Sequence, residues 1–198
     1  MKTTLVLATA NKNKVYEYDR LLKSALGDDF EVKSLKDIGY TDEIIEDGKT
    51  FEENAFIKAR TVASLGYIGI ADDSGLCVDA LNGAPGIYSA RYSGGDYDDN
   101  NSKLISELQN VQVENRTAQF VCSIACVFPD GRNFCVRGEC PGTILEEITG
   151  ENGFGYDPLF FYSPMGKTFA QMSDDEKNRV SHRAIATEKF LKQLKNYL

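Results

Sequence analysis

Residues Ala118 to Phe128 read Ala-Gln-Phe-Val-Cys-Ser-Ile-Ala-Cys-Val-Phe, a run that is apolar on both faces of an extended chain. A strand of this kind must be covered on both sides, so it predicts a central strand of a sheet sandwiched between two layers. Pro129-Asp130-Gly131 supplies a turn into a second strand, Asn133 to Cys140, which makes this part of the sheet antiparallel.

The first third of the chain alternates instead between strand and helix signals. Leu5 to Ala8 reads as a buried strand, and Val15, Tyr18, Leu22 and Ala25 recur at helical spacing before Gly27. A further strand is expected at Phe30 to Ser34. Thr50-Phe51-Glu52-Glu53 is a capping box. It opens a helix with Phe51, Ala55, Ala59 and Val62 on one face, Asn54 and Lys58 on another, and a stop near Gly66. Tyr67 to Ala71 reads as a strand broken by Asp72-Asp73-Ser74-Gly75, and Asn82 to Gly95 as loop or short helix. A helix from about Asp98 to Leu108 follows. Downstream of the hairpin come the short apolar run Leu159 to Phe161, a second capping box at Ser173 and Glu176, and a last amphipathic helix with Ala184, Phe190, Leu191 and Leu194. Strand–helix alternation followed by a hairpin predicts an α/β protein with a mixed sheet. No repeat, linker or low-complexity tract divides the 198 residues, which suits one domain of the larger kind or one domain with two lobes.

The net charge of −8 repels nucleic acid polymers and anionic membrane, so neither is expected as a partner. A small anionic substrate stays compatible, which makes the placement of the few basic residues informative. Cys77, Cys122, Cys126, Cys135 and Cys140 are odd in number and lack C-x-x-C spacing, so they read as small buried hydrophobes in a reducing compartment. The N-terminal apolar run is too short for a signal-peptide core, and no stretch of about 18 apolar residues occurs. A cytoplasmic, soluble protein is expected.

Five segments carry groups that suit chemistry. Thr9, Asn11 and Lys14 sit where a strand turns into a helix, and a helix N-terminus attracts phosphate. The plainer reading is N-capping by Asn11 beside a solvated Lys14. Asp72 and Asp73 are adjacent carboxylates that point to opposite faces of a strand, so one can ligate Mg²⁺ while the other supports it. The plainer reading is turn chemistry. The acidic stretch Glu43 to Gly48 precedes the helix bearing Lys58, and carboxylate next to lysine matches Mg²⁺ with polyphosphate. Gly153-Phe154-Gly155-Tyr156-Asp157-Pro158 lets backbone approach a flat ligand, with Phe154 either stacking on a base or filling the core. Ser181-His182-Arg183 holds the only histidine of the chain beside an arginine at a helix start. These two are donors for a base carbonyl or, more plainly, His182 is a surface or core-satisfied histidine.

Taken in order and spacing, these strings resemble one family across nearly the whole chain: the inosine triphosphate pyrophosphatases, also called dITP/XTP or non-canonical purine NTP pyrophosphatases. The strings are Ala8 to Lys14, Thr50 to Ala55, Ala71 to Leu76, Gly83 to Gly94, Gly153 to Pro158 and Ser181 to Arg183. The resemblance implies a long, bent mixed sheet flanked by helices, two lobes around a central cleft, and a homodimer. It implies that Thr9, Asn11, Lys14 and Lys58 hold the triphosphate. It implies Glu46 and Asp73 as Mg²⁺ ligands, with Glu43 or Asp47 able to stand in for Glu46. It further implies Asp73 as general base, Ser74 as a substrate contact, Phe154, Gly155, Tyr156 and Asp157 as the base-binding segment, and Lys177, His182 and Arg183 as the remaining nucleotide contacts. The implied reaction releases a nucleoside monophosphate and pyrophosphate from ITP, dITP or XTP. A related house-cleaning pyrophosphatase of different base preference, such as the Maf type, and a non-catalytic nucleotide-binding module are the alternatives. Ser181-His182-Arg183 speaks against the first, and the intact Glu46, Lys58 and Asp73 against the second.

Overall fold

A computed structural model describes residues 2–9, 11, 14–16, 18, 22 and 30–197. The expected positions Ala25 and Gly27 lie outside the described residues, as do Ala10, Lys12 and Asn13 of the first motif. Seven strands form one mixed sheet in the order β2-β1-β3-β4-β5-β6-β7. They are β1 (Thr3–Leu7), β2 (Phe30–Ser34), β3 (Ile68–Val78), β4 (Thr117–Val127), β5 (Asn133–Ile144), β6 (Phe160–Tyr162) and β7 (Lys167–Thr168). The helices are α1 (Phe51–Ser64), α2 (Tyr97–Leu108), α3 (Asp174–Val180) and α4 (His182–Leu194), and Lys14, Val15, Tyr16, Tyr18 and Leu22 are also helical. β1 pairs in parallel with β2 and β3, whereas β5–β6 and β6–β7 are antiparallel. This is the mixed α/β sheet expected from the sequence, and β4 is its fourth and middle strand.

The chain divides into two compact units, Met1–Asp73 with Cys122–Gly138 and Ala186–Leu198, and Ser74–Val121 with Glu139–Ile185. In the first, strand alternation fills two cores. Leu5, Leu7, Ile70, Cys122, Ile124 and Cys126 pack with Tyr18, Leu22 and the α4 residues Ala186, Phe190 and Leu194. Val6, Ala8, Ala71, Ala125 and Val127 pack with Ala55, Ala59 and Val62 of α1. Successive residues of β1 and β4 thus enter different cores, as a strand apolar on both faces requires. On α4 the core position is Ala186, while Ala184 is only half-buried, a shift within the same amphipathic face.

The second unit is built on aromatic rings. Phe120 lies 4.6 Å from Phe160 and 5.7 Å from Phe169, and Leu104 and Leu108 of α2 close the cluster. Offset and tilted ring pairs of this kind add to what their buried area contributes.

Two boundaries differ from expectation. β3 does not break at Asp72-Asp73-Ser74-Gly75 but runs through to Val78. Leu76 and Val78 are buried in the second unit's core, and that apolar alternation carries the strand past its polar centre. β5 likewise continues past Cys140 through Pro141 and Gly142 to pair Thr143 with Phe161 and Ile144 with Phe160. Proline removes one ladder donor without ending the strand where its neighbour does not need that N–H.

Candidate active site

In the first unit the carboxylates of Asp72 and Asp73 serve different partners, as their alternation on one strand requires. Asp73 is buried, and its Oδ2 accepts a hydrogen bond from Asn54 Nδ2 at 3.0 Å. Its Oδ1 lies 3.8 Å from Lys58 Nζ, and the same ammonium donates to Glu46 Oε2 at 2.6 Å. Glu46 is therefore the acid of its loop that meets Lys58. The turn that brings it there is tied down by Asn54, whose Oδ1 accepts the Gly48 N–H at 2.9 Å. A Cβ on Gly48 would sit 2.6 Å from that oxygen, so only glycine lets the loop approach so closely. Helix α1 presents both Asn54 and Lys58, four residues apart, from a start fixed by Thr50, whose hydroxyl accepts the Glu53 N–H at 3.1 Å. The other half of the expected capping box is displaced by one residue: Glu53 accepts from the Lys49 N–H at 2.6 Å.

Burial raises the Asp73 carboxyl above the ordinary carboxylate range, against the pull of Lys58, Lys14 and the Asn54 hydrogen bond. Burial works against the Lys58 charge, but Asp73, Asp72 and Glu46 outweigh it and hold the ammonium above its usual value. The lysine therefore stays charged.

Asp72 is fully buried and pairs with Lys14 Nζ at 2.9 Å. Asn11 Oδ1 accepts the Lys14 N–H at 3.4 Å, and Thr9 Oγ1 accepts the Asn11 N–H at 3.2 Å. The capping reading of Asn11 therefore holds, whereas Lys14 is not a solvated lysine.

In the second unit the segment Gly153 to Asp157 is held from several sides. Asp157 is buried; its Oδ2 accepts the Phe154 N–H at 2.8 Å and pairs with Lys177 Nζ at 2.7 Å. Gly153 has φ +78° and abuts that carboxylate, so a side chain there is excluded twice over. Tyr156 donates its hydroxyl to Ser89 O at 2.9 Å, and Asn101 Nδ2 donates to Gly155 O at 2.9 Å. Phe154 stays half-buried, with Lys177 Nζ 4.8 Å and Arg183 Cζ 5.9 Å from its ring centre. Arg183 also donates to Ser74 Oγ at 3.1 Å. His182 lies against Phe120, ring centres 4.7 Å apart and nearly parallel, so its imidazole is packed into the aromatic core. Tyr156, Asp157, Lys177, His182, Arg183, Ser74 and Phe154 are thus brought together within this unit.

Three buried residues that sequence reasoning did not place at the site hold it in shape: Asn54, Asn101 and Ser89. Asn54 had one available signal, its i, i+4 spacing from Lys58. Asn101 donates to the carbonyl of Gly155 and Ser89 offers its own carbonyl to Tyr156, pairings 54 and 67 positions apart that no local pattern reveals.

Among the described residues no group of three or more His, Cys, Asp or Glu side chains forms a metal cluster. Two carboxylates, from Glu46 and Asp73, do converge on one ammonium. Two carboxylates completed by substrate phosphates and water are a donor set that suits a hard divalent cation such as Mg²⁺. Among the described residues no helix is long and apolar enough to cross a membrane.

Fold and site together define an open, mixed-sheet α/β protein with buried lysine–carboxylate pairs. The chain belongs to the Ham1 family, whose model matches residues 5–193. It is similar to the dITP/XTP pyrophosphatase of Bacillus licheniformis, 49% identical over 189 residues that cover 94% of this chain and 95% of that one. The dITP/XTP pyrophosphatase of Leuconostoc mesenteroides is 49% identical over 199 residues, 98% of either chain. Among solved structures, the Staphylococcus aureus Ham1 protein matches with a TM-score of 0.88 at 38% identity, over 99% of this chain and 100% of that chain. A HAM1 protein from Coxiella burnetii matches with 0.88 at 35% identity, over 98% and 99%. The family resemblance read from the motifs is borne out.

Proposed function

We propose that this chain hydrolyses non-canonical purine nucleoside triphosphates, ITP, dITP and XTP, to the nucleoside monophosphate and pyrophosphate. The observation that carries the reading is the Glu46–Lys58–Asp73 constellation, set in a chain about half identical to dITP/XTP pyrophosphatases over nearly their whole length.

The phosphate end of the substrate falls to Thr9, Asn11, Lys14 and Lys58, and the two lysine ammonium groups neutralise charge that grows on the leaving pyrophosphate. Glu46 and Asp73 would hold Mg²⁺, which supplies further charge neutralisation at the phosphates when bound. Asp73, with its raised pKa and its orientation fixed by Asn54, accepts the proton of the water that attacks the α-phosphorus.

The base end falls to the second unit's set. Phe154 offers a ring for stacking, on a loop locked by Asp157 and Lys177. Arg183, seconded by His182, donates to the 6-carbonyl of a hypoxanthine or xanthine ring. A guanidinium has no acceptor, so the 6-amino group of adenine finds no partner there, and an unpaired buried donor costs about 1–3 kcal/mol. Ser74, the Arg183 partner, directly follows Asp73 in the chain, so base recognition and catalysis share strand β3.

The reading extends to one catalytic domain acting as a homodimer in the cytoplasm, without a nucleic acid or membrane partner. The test is purified protein with Mg²⁺ and a panel of ITP, dITP, XTP, GTP and ATP, scored for pyrophosphate and for inorganic phosphate. Pyrophosphate from the first three, and its loss in excess EDTA, is the expected result. Phosphate release, or equal rates on ATP, would overturn the reading. Turnover of modified pyrimidine nucleotides would instead favour the Maf-type alternative.

A further inference from the structure

The Lys14–Asp72 pair presents a puzzle that the reaction above does not solve. Asp72 is fully buried, Lys14 nearly so, and the two are 2.9 Å apart on Oδ2. A buried ion pair gives little net stability, because the desolvation of both charges offsets their attraction. The pair is nevertheless reinforced. The Cys122 thiol on β4 lies 3.9 Å from the same Asp72 oxygen, as a sulfur donor to the carboxylate. The Tyr18 hydroxyl lies 3.7 Å from that sulfur, in the same core. The lysine's backbone is fixed separately, through the Asn11 side chain. Main chain and side chain of Lys14 are thus anchored by different groups.

We propose that Asp72, held by Cys122 and Tyr18, is a positioning residue that fixes the Lys14 ammonium for the triphosphate. This rests on the phosphate role of Lys14 given above. A lysine on a flexible four-carbon stem binds phosphate as a point charge and loses rotamer freedom in doing so. Ordering it in advance removes that cost from binding. The buried carboxylate also keeps a cation in place before substrate arrives, and the thiol steadies the carboxylate without adding charge. Asp72 and Asp73 then divide the work along one strand, the first holding a phosphate ligand and the second serving the attacking water.

The test is steady-state kinetics on ITP with Mg²⁺, together with equilibrium binding of pyrophosphate. Asp72→Asn is expected to raise KM and weaken pyrophosphate binding about tenfold, the worth of one charge-assisted hydrogen bond, with kcat changed far less. Cys122→Ala, which leaves both charges in place, is expected to move KM in the same direction by about twofold. In a Lys14→Met background, Asp72→Asn is expected to change KM no further. A purely structural role would lower the active fraction, and hence kcat, at unchanged KM. That result, or an undiminished Asp72→Asn effect on KM in the Lys14→Met background, overturns the proposal. Should Asp72→Asn fail to fold, Cys122→Ala with unchanged KM and unchanged pyrophosphate affinity overturns it alone. Wild-type protein inert toward every nucleoside triphosphate would instead remove the parent reading of function.

Discussion

Asn54 spans the gap between a loop and a strand: its Nδ2 donates to Asp73 Oδ2 at 3.0 Å, and its Oδ1 accepts the Gly48 N–H at 2.9 Å. One buried amide thus fixes the carboxylate at the heart of the site and the loop that delivers Glu46. It uses a donor for the acid and an acceptor for the backbone, which no other side chain of that size supplies.

Asn54→Ala is therefore expected to lower kcat about tenfold or more, since removing one partner from a buried hydrogen bond costs about 1–3 kcal/mol. Asn54→Asp should be worse, because it sets a second negative charge beside Asp73. Kinetics on ITP, paired with a thermal melt to confirm folding, measures this. Wild-type kcat in Asn54→Ala would show that Asp73 needs no such support.

Much of this arrangement was legible in the sequence, and the reasons differ by element. The apolar run at Ala118 to Phe128 required two covering layers, and β4 has a core on either face. The capping boxes at Thr50 and Ser173 located the starts of α1 and α3 because a cap is a local interaction. β3 was misjudged at Asp72 to Gly75 because those residues favour turns in isolation, while their neighbours' burial, a tertiary fact, keeps them extended. The roles of Asn54 and Asp72 were hidden for the same reason. Asp72 is explained by Lys14 and Cys122, residues 58 and 50 positions away by their numbering. His182 stood out as the lone histidine, but its stacking on Phe120 depends on a ring 62 positions earlier.

Asp73→Asn is expected to reduce kcat about 10²–10⁴-fold, the usual worth of a general base, while nucleotide binding stays measurable. Its stability should change in the other direction. Burial raises the folded-state pKa of Asp73 above the ordinary 3.8, so the folded chain holds its proton more tightly than the unfolded one. Stability then falls as pH rises from 3.8 through the raised value. Thermal melts of the two proteins should diverge in favour of Asp73→Asn as pH rises above 3.8. A mutant keeping more than a tenth of wild-type kcat would move the base role elsewhere.

Arg183→Ala is expected to cut kcat/KM for ITP about ten- to a hundred-fold, the worth of a charged hydrogen bond, and to leave ATP level or slightly faster. The buried guanidinium donates to Ser74 Oγ at 3.1 Å and lies 5.9 Å from the Phe154 ring centre, beside the ring proposed to stack on the base. A phosphate-binding arginine would depress both substrates equally, so equal losses would place Arg183 among the phosphate ligands.

All five cysteines are free thiols, and burial pushes those of Cys126, Cys135 and Cys140 up to about 12. Only the thiolate is a nucleophile, so these three should resist iodoacetamide at neutral pH in the folded protein and react after denaturation. Mass spectrometry of the alkylated protein reads this directly. Rapid labelling of Cys126 in the native state would contradict the packing of β4.

The most direct measurement is hydrolysis of ITP with Mg²⁺ in ¹⁸O-labelled water, with the products separated and weighed. On the proposed reaction, water activated beside Asp73 attacks the α-phosphorus, so the label is expected in IMP, with unlabelled pyrophosphate beside it. Label in pyrophosphate would place the attack at the β-phosphorus, and labelled inorganic phosphate with IDP would place it at the γ end. Either result would contradict the role assigned to Asp73 and the reaction built on it.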